Sequence, residues 1–199
     1  MIKLIIVGCG GHAQSSIDII ERTKKFKIVG IVDDNYKEKK NSYKFLGTDK
    51  DLPKLRNKYE QAFIGIGHIE TAENRIKIFR KLKKLNFKLP KIISSSAIIS
   101  NRASLSESTI IFENALIGPN VEIGKNSIIN NFCQIEHGTT IGDNTHISTR
   151  VTLNGDVSIG DRTFVGSSTV VKHGIKIGSN CFIRMGSIIT KNVKDNEKI

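Results

Sequence analysis

Apolar residues along this chain keep two different periods. Up to about residue 90, short apolar runs alternate with helical spacing. LIIVG (4–8), KIVGIVDD (27–34) and QAFIGIG (61–67) read as buried strands. AQSSIDIIERTKK (13–25) and TAENRIKIFRKLKKLN (71–86) read as amphipathic helices, the second strongly basic. The alternation predicts a small β-α-β unit with a parallel sheet, which Pro90 closes.

From Ile93 the period becomes six. Every sixth residue from there to Ile189, seventeen positions in all, is Ile, Leu or Val. Four residues after each comes a residue that is nearly always small or β-branched, from Ala97 to Val193. Such a pattern predicts a triangular coil with three short strands per turn, each hexad placing one aliphatic and one smaller side chain inside the prism. Gly118, Gly124, Gly142, Gly160 and Gly178, with Asn126, Asn144 and Asn180, suit bends that need tight or left-handed backbone. Nothing interrupts the register, so no long loop is expected to leave the coil. Two domains follow, residues 1–90 and 91–199: an α/β unit and an all-β parallel β-helix.

Composition narrows the classes. Cys9, Cys133 and Cys181 are odd in number, widely spaced and lack a CxxC pair, so neither a disulfide framework nor a metal site is indicated, and the chain reads as cytoplasmic. The opening MIKLIIVGCGGH has too short an apolar run for a signal peptide or a membrane span and reads as a buried strand. A net charge of +12 invites polyanions. The lysines at 24, 25, 27, 37, 39, 40, 81, 83 and 84, however, lack interleaved aromatics that could stack bases. They fit a solvated surface or small phosphate ligands better than nucleic acid.

With 18 residues per coil, His137, Gly155 and His173 share one column, and Glu136, Asn154 and Lys172 the next. His137 falls on a bend, so its ring is expected to face outward. By residue type alone it is either a polar turn residue or a general base titrating near neutrality. Near the start, Gly8, Gly10 and Ala13 follow a strand and open a helix, with Asp33 one β-α-β unit later. That pattern fits a dinucleotide fingerprint, yet amides at a helix N-terminus hold any phosphate.

The order GCGGHA (8–13), VDD (32–34), IGIG (64–67) and IEHGTTIGDNTHIS (135–148) within an unbroken hexapeptide coil resembles bacterial sugar acetyltransferases of the PglD and NeuD kind. The resemblance implies a left-handed β-helix and a homotrimer, with acetyl-CoA as co-substrate lying along the coil between neighbouring prisms. A sugar nucleotide, UDP- or GDP-linked, would be held mainly by a Rossmann-like N-terminal domain. His137 matches the catalytic base and Asn130 a polar residue near it. His146 matches a residue beside the thioester, while Gly155 and Ser167 fall where the family's backbone meets the pantetheine arm. Close relatives carry an acid directly after the base. Here Gly138 stands there, which leaves Glu136 as the candidate partner.

The coil begins too early for the second half of a dinucleotide domain, which disfavours an NAD-dependent enzyme. Gly8, Gly10, Gly11 and His12 are therefore assigned to the sugar nucleotide, with Asp33 and Asp34 near its base or ribose. Gly65 and Gly67 end the third strand beside the same crevice, and Arg75 either reaches a phosphate or decorates its helix. The expected activity is N-acetylation of a UDP-4-amino sugar. The rival readings are O-acetylation of a sialic or other nonulosonic acid, and a non-catalytic sugar-nucleotide-binding protein.

Overall fold

The computed structural model describes residues 1–36 and 42–199; Lys37, Lys39 and Lys40 lie outside the described residues. It divides into two compact units, one of Met1–Gly67 and Glu73–Pro90, the other of His68–Ala72 and Lys91–Ile199.

The first unit carries a parallel sheet of β1 (Ile2–Val7), β2 (Phe26–Val32), β3 (Phe45–Gly47) and β4 (Gln61–Ile64) in the order β3-β2-β1-β4. Leu4, Ile5, Ile6 and Val7 of the central β1 are buried, because strands covered on both faces are apolar throughout. Helices α1 (Gly11–Thr23), α2 (Leu52–Arg56) and α3 (Glu73–Lys84) complete the unit. Hydrophobic spacing does not predict β3 and α2, which are too short to show a period. β3 is fixed instead by pairing: Ile31 N–H donates to Lys44 C=O (2.9 Å) and Asp33 N–H to Gly47 C=O (3.1 Å).

The second unit is a left-handed β-helix. Its strands run from Ile92–Ile93 to Ile188–Ile189, and every one ends on the aliphatic residue that the six-residue step picks out. They stack as three parallel sheets of six, six and five strands, with partners 18 residues apart. We call these the first, second and third faces, opening at Ile92, Ile98 and Ser104. Inside the prism the aliphatic ladder (Ile111, Ile129, Ile147, Val165) packs with smaller residues such as Val121, Cys133 and Val151. Where the smaller residue is a buried threonine or serine, its hydroxyl donates to a carbonyl fifteen residues on, as in Thr109 to Gly124, Ser127 to Gly142, Thr145 to Gly160 and Thr163 to Gly178, at 2.7–3.1 Å. These buried hydroxyls therefore cost the core little.

Two kinds of bend residue serve two needs. Every sixth residue from Ser108 to Gly186 has positive φ, and Asn126, Asn144 and Asn180 are among them, since asparagine tolerates this conformation. Gly124 and Gly142 are not. A Cβ on Gly124 would come within 2.6 Å of Asp143 N, and one on Gly142 within 2.7 Å of Asp161 N, so these glycines let the following coil pass close by. Among the described residues no helix is long and apolar enough to cross a membrane.

Candidate functional site

At the corner between the second and third faces, His137 lies between the strands Gln134–Ile135 and Thr140–Ile141. It is exposed and seated over Gly155: a Cβ there would sit 2.4 Å from His137 Cε1 and 2.5 Å from Nε2. Gly155 has no positive φ, so it is bare for space alone. Nδ1 of the ring is 3.9 Å from Asp156 Oδ1, and the second oxygen of that carboxylate is 3.7 Å from His173 Nε2. The two rings lie 6.3 Å apart. Glu136 points elsewhere, its Oε1 accepting from Gln134 Nε2 at 2.6 Å. The carboxylate beside His137 is thus Asp156. Sequence reasoning passed over it, although a step of 18 from Gly138 reaches it.

A second cluster gathers on the first face. His146, only 7% exposed, has Nδ1 2.6 Å from the carbonyl oxygen of His68. A carbonyl only accepts, so Nδ1 carries the hydrogen, and in the neutral form of the ring Nε2 is an acceptor. Asn130 Nδ2 is 3.5 Å from that Nε2. Its own Oδ1 accepts Asn131 N–H at 2.8 Å, which orients the amide with its nitrogen toward the ring. Phe164 and His68 meet the imidazole edge-on, with centroids 5.2 and 5.4 Å away. Ser167 Oγ pairs with Ser148 Oγ at 2.9 Å. Asn130 is therefore grouped with His146, and the width of the second face separates both from His137. His68 reaches this cluster from 78 residues away, and no pattern along the chain signals it.

A shallow groove of about 390 Å³ on the third face contains neither histidine. Glu122, Asp143 and Asp161 line it, and the last two cap backbone N–H groups of Lys125 and Asp143. Its negative charge suits a polyphosphate poorly.

In the first unit the candidate glycines sort into two groups. Gly8, at φ +104°, would bring a Cβ to 2.7 Å from Ile66 Cγ1, Gly65 to 2.8 Å from Ala13 Cβ, and Gly67 to 3.1 Å from His12 Cβ. All three are bare so that β1, α1 and the end of β4 can pack closely. Among the described residues Gly10 and Gly11 face open space, with nothing within 4 Å of either added Cβ. They open α1 without a side-chain cap, which leaves the first-turn amides as a natural anion cradle. Asp33 braces this loop, accepting Cys9 N–H (2.8 Å) and Asn35 N–H (2.6 Å). Exposed Asp34 accepts Asp49 N–H at 3.0 Å. Burial, and then Asp34, raise the pKa of the Asp49 carboxyl. Arg75 neither reaches a phosphate nor decorates the surface. It is fully buried and donates from Nη1 to the carbonyls of Ile64 (2.9 Å) and Ile66 (2.7 Å), and burial brings its pKa down to about 9.

Residues 3–82 match the PglD N-terminal domain, residues 120–155 the bacterial transferase hexapeptide family and residues 156–191 the hexapeptide repeat of succinyl-transferase. Together they fit both units described above. The chain joins a PglD N-terminal domain to hexapeptide repeats, the domain combination of bacterial sugar acetyltransferases of the PglD/NeuD kind.

A histidine-to-alanine variant of the GDP-perosamine N-acetyltransferase of Caulobacter crescentus, in complex with CoA and GDP-perosamine, superposes with a TM-score of 0.92 at 27% identity. The match covers 98% of this chain and 91% of that one. Two more distant structures share the fold. The acetyltransferase domain of PglB from Neisseria gonorrhoeae, in complex with acetyl coenzyme A, gives TM-score 0.92 at 21% identity over 98% and 94% of the two chains. WeeI from Acinetobacter baumannii gives 0.87 at 18% over 100% and 96%. No curated protein matches by sequence.

Proposed function

We propose that this protein transfers the acetyl group of acetyl-CoA to the amine of a 4-amino sugar carried on UDP or GDP. Acetyl-CoA is the co-substrate. Carrying this reading is the seating of His137 over bare Gly155 with Nδ1 turned toward a carboxylate, in a chain that matches a GDP-perosamine N-acetyltransferase along nearly its whole length.

Nε2 is then the free base. It takes the proton of the amine as nitrogen attacks the thioester carbonyl. The C–S bond breaks, and the imidazolium returns that proton to the departing CoA thiolate. At the other cluster the fixed tautomer of His146 makes Asn130 the hydrogen-bond donor, so Asn130 polarises the thioester carbonyl and His146 holds it in place. His137 and Asn130 occupy different corners of one prism. Both can meet one thioester only if a neighbouring copy supplies the second corner, which supports a homotrimer with acetyl-CoA, Gly155 and Ser167 between prisms. Nucleotide phosphates sit at Gly10 and Gly11, with His12 at their edge and Asp34 toward the ribose or base.

Thiol release from acetyl-CoA, measured with GDP- and UDP-linked 4-amino sugars and with free sialic acid, tests the reading. Release is expected with an amino-sugar nucleotide only. Release with sialic acid alone makes the protein an O-acetyltransferase, and binding without release makes it a sugar-nucleotide-binding protein.

Gly155→Ala provides a sharper test. The added Cβ collides with the far end of an exposed side chain, so the imidazole moves and the coil stays intact. kcat is expected to fall about ten- to a hundredfold, as for an ångström-scale misplacement, with an unchanged melting temperature. Unchanged kcat would remove His137 from the chemistry.

A further inference from the structure

Gly138 and Asp156 occupy the same column one coil apart, and they exclude each other. A Cβ on Gly138 would lie 2.1 Å from Asp156 Oδ1, so the Asp156 carboxylate fills the space that a side chain at 138 would take. That same Oδ1 is the oxygen nearest His137 Nδ1, at 3.9 Å. A backbone hydrogen bond from Asp156 N–H to His137 C=O, 2.8 Å, locks the two residues in register across the coil. Both have room to adjust, each side chain being 57% exposed, so a small rotation brings the pair into hydrogen-bond contact.

The geometry points to Asp156 as the positioning residue for His137: its carboxylate holds the hydrogen on Nδ1 and leaves Nε2 free to accept the acceptor's proton, from a place made available by the missing side chain at 138. This rests on the acetyltransfer reading above. Asp156 touches no reacting atom and acts through the tautomer and orientation of the imidazole. His173 Nε2 lies 3.7 Å from Oδ2, the other oxygen of the same carboxylate. At φ +59° position 156 suits Asp, Asn or Gly, so neutralising it leaves the bend intact.

Asp156→Asn keeps the shape and removes the charge. kcat is expected to drop about ten- to a hundredfold at unchanged KM and melting temperature. That is less than the ~10⁴ of a buried triad aspartate, because the exposed pair is screened. The reciprocal swap is the decisive arm. Gly138→Asp alone is expected to lower activity, because its Cβ collides with Asp156. Gly138→Asp combined with Asp156→Gly should recover most of the activity that Asp156→Gly loses, since the carboxylate is merely handed back across the coil.

Nitrogen-15 NMR of the histidine rings reads the same arrangement without any substrate. His137 should be mainly Nδ1–H in the wild type and shift toward Nε2–H in Asp156→Asn. An unchanged tautomer together with kcat within twofold of wild type would overturn the assignment. If the wild type transfers no acetyl group at all, the functional reading fails, while the NMR result still decides whether Asp156 sets the tautomer.

Discussion

His137→Ala is expected to reduce acetyl transfer by about 10²–10⁴-fold, the span of a general base, while affinity for the sugar nucleotide stays close to that of wild type. The two outcomes separate because the residues proposed to hold the nucleotide phosphates, Gly10 and Gly11, belong to the first unit, whereas His137 belongs to the coil. The exposed ring packs no core, so removing it should leave the melting temperature within a degree or two; surface changes away from special features stay within about 0.5 kcal/mol. Steady-state thiol release and calorimetric titration of the nucleotide sugar measure both sides. Full retained activity would sink the mechanism, and lost nucleotide affinity would show that His137 contacts the substrate itself.

The second large effect is on stability. Arg75→Ala should destabilise the first unit by about 3–5 kcal/mol, combining the cavity left by a long buried side chain with carbonyl acceptors deprived of their donor. Those acceptors, Ile64 C=O and Ile66 C=O, stand at the end of β4, where Gly65 and Gly67 pack against Ala13 and His12. Arg75→Met restores much of the volume without the donor and should recover only part of the loss. Denaturant titration of both variants checks this; a change below about 1 kcal/mol in Arg75→Ala would mean that the carbonyls find other donors. Loss of nucleotide-sugar binding is expected to accompany unfolding of this turn.

Arg75 also illustrates where sequence reading stops. A cation on a basic amphipathic helix, four positions before Phe79 and surrounded by lysines, carries no mark that it alone turns inward. The carbonyls at the end of β4, brought to it by the sheet, help make burial of that charge tolerable. The glycines of the opening turn divide in the same way. Written in sequence they are alike, yet Gly8, Gly65 and Gly67 serve close packing while Gly10 and Gly11 face open space among the described residues.

For the coil, sequence by itself determined nearly everything. A six-residue repeat places each aliphatic residue inside, each strand in register and each partner 18 residues on, because the same local geometry recurs with no insertion to disturb it. It also determined that His137 stands on an outward bend in the column of Gly155. Tertiary structure alone decided what surrounds that imidazole. It turned Glu136 toward Gln134 and brought Asp156 up from the next coil into the space Gly138 leaves empty. It placed Asn130 with His146 and the distant His68 at another corner. The physical reason is that a repeat fixes which residues share a column, whereas the direction of a polar side chain on a bend depends on which neighbours leave it room and offer it a hydrogen bond.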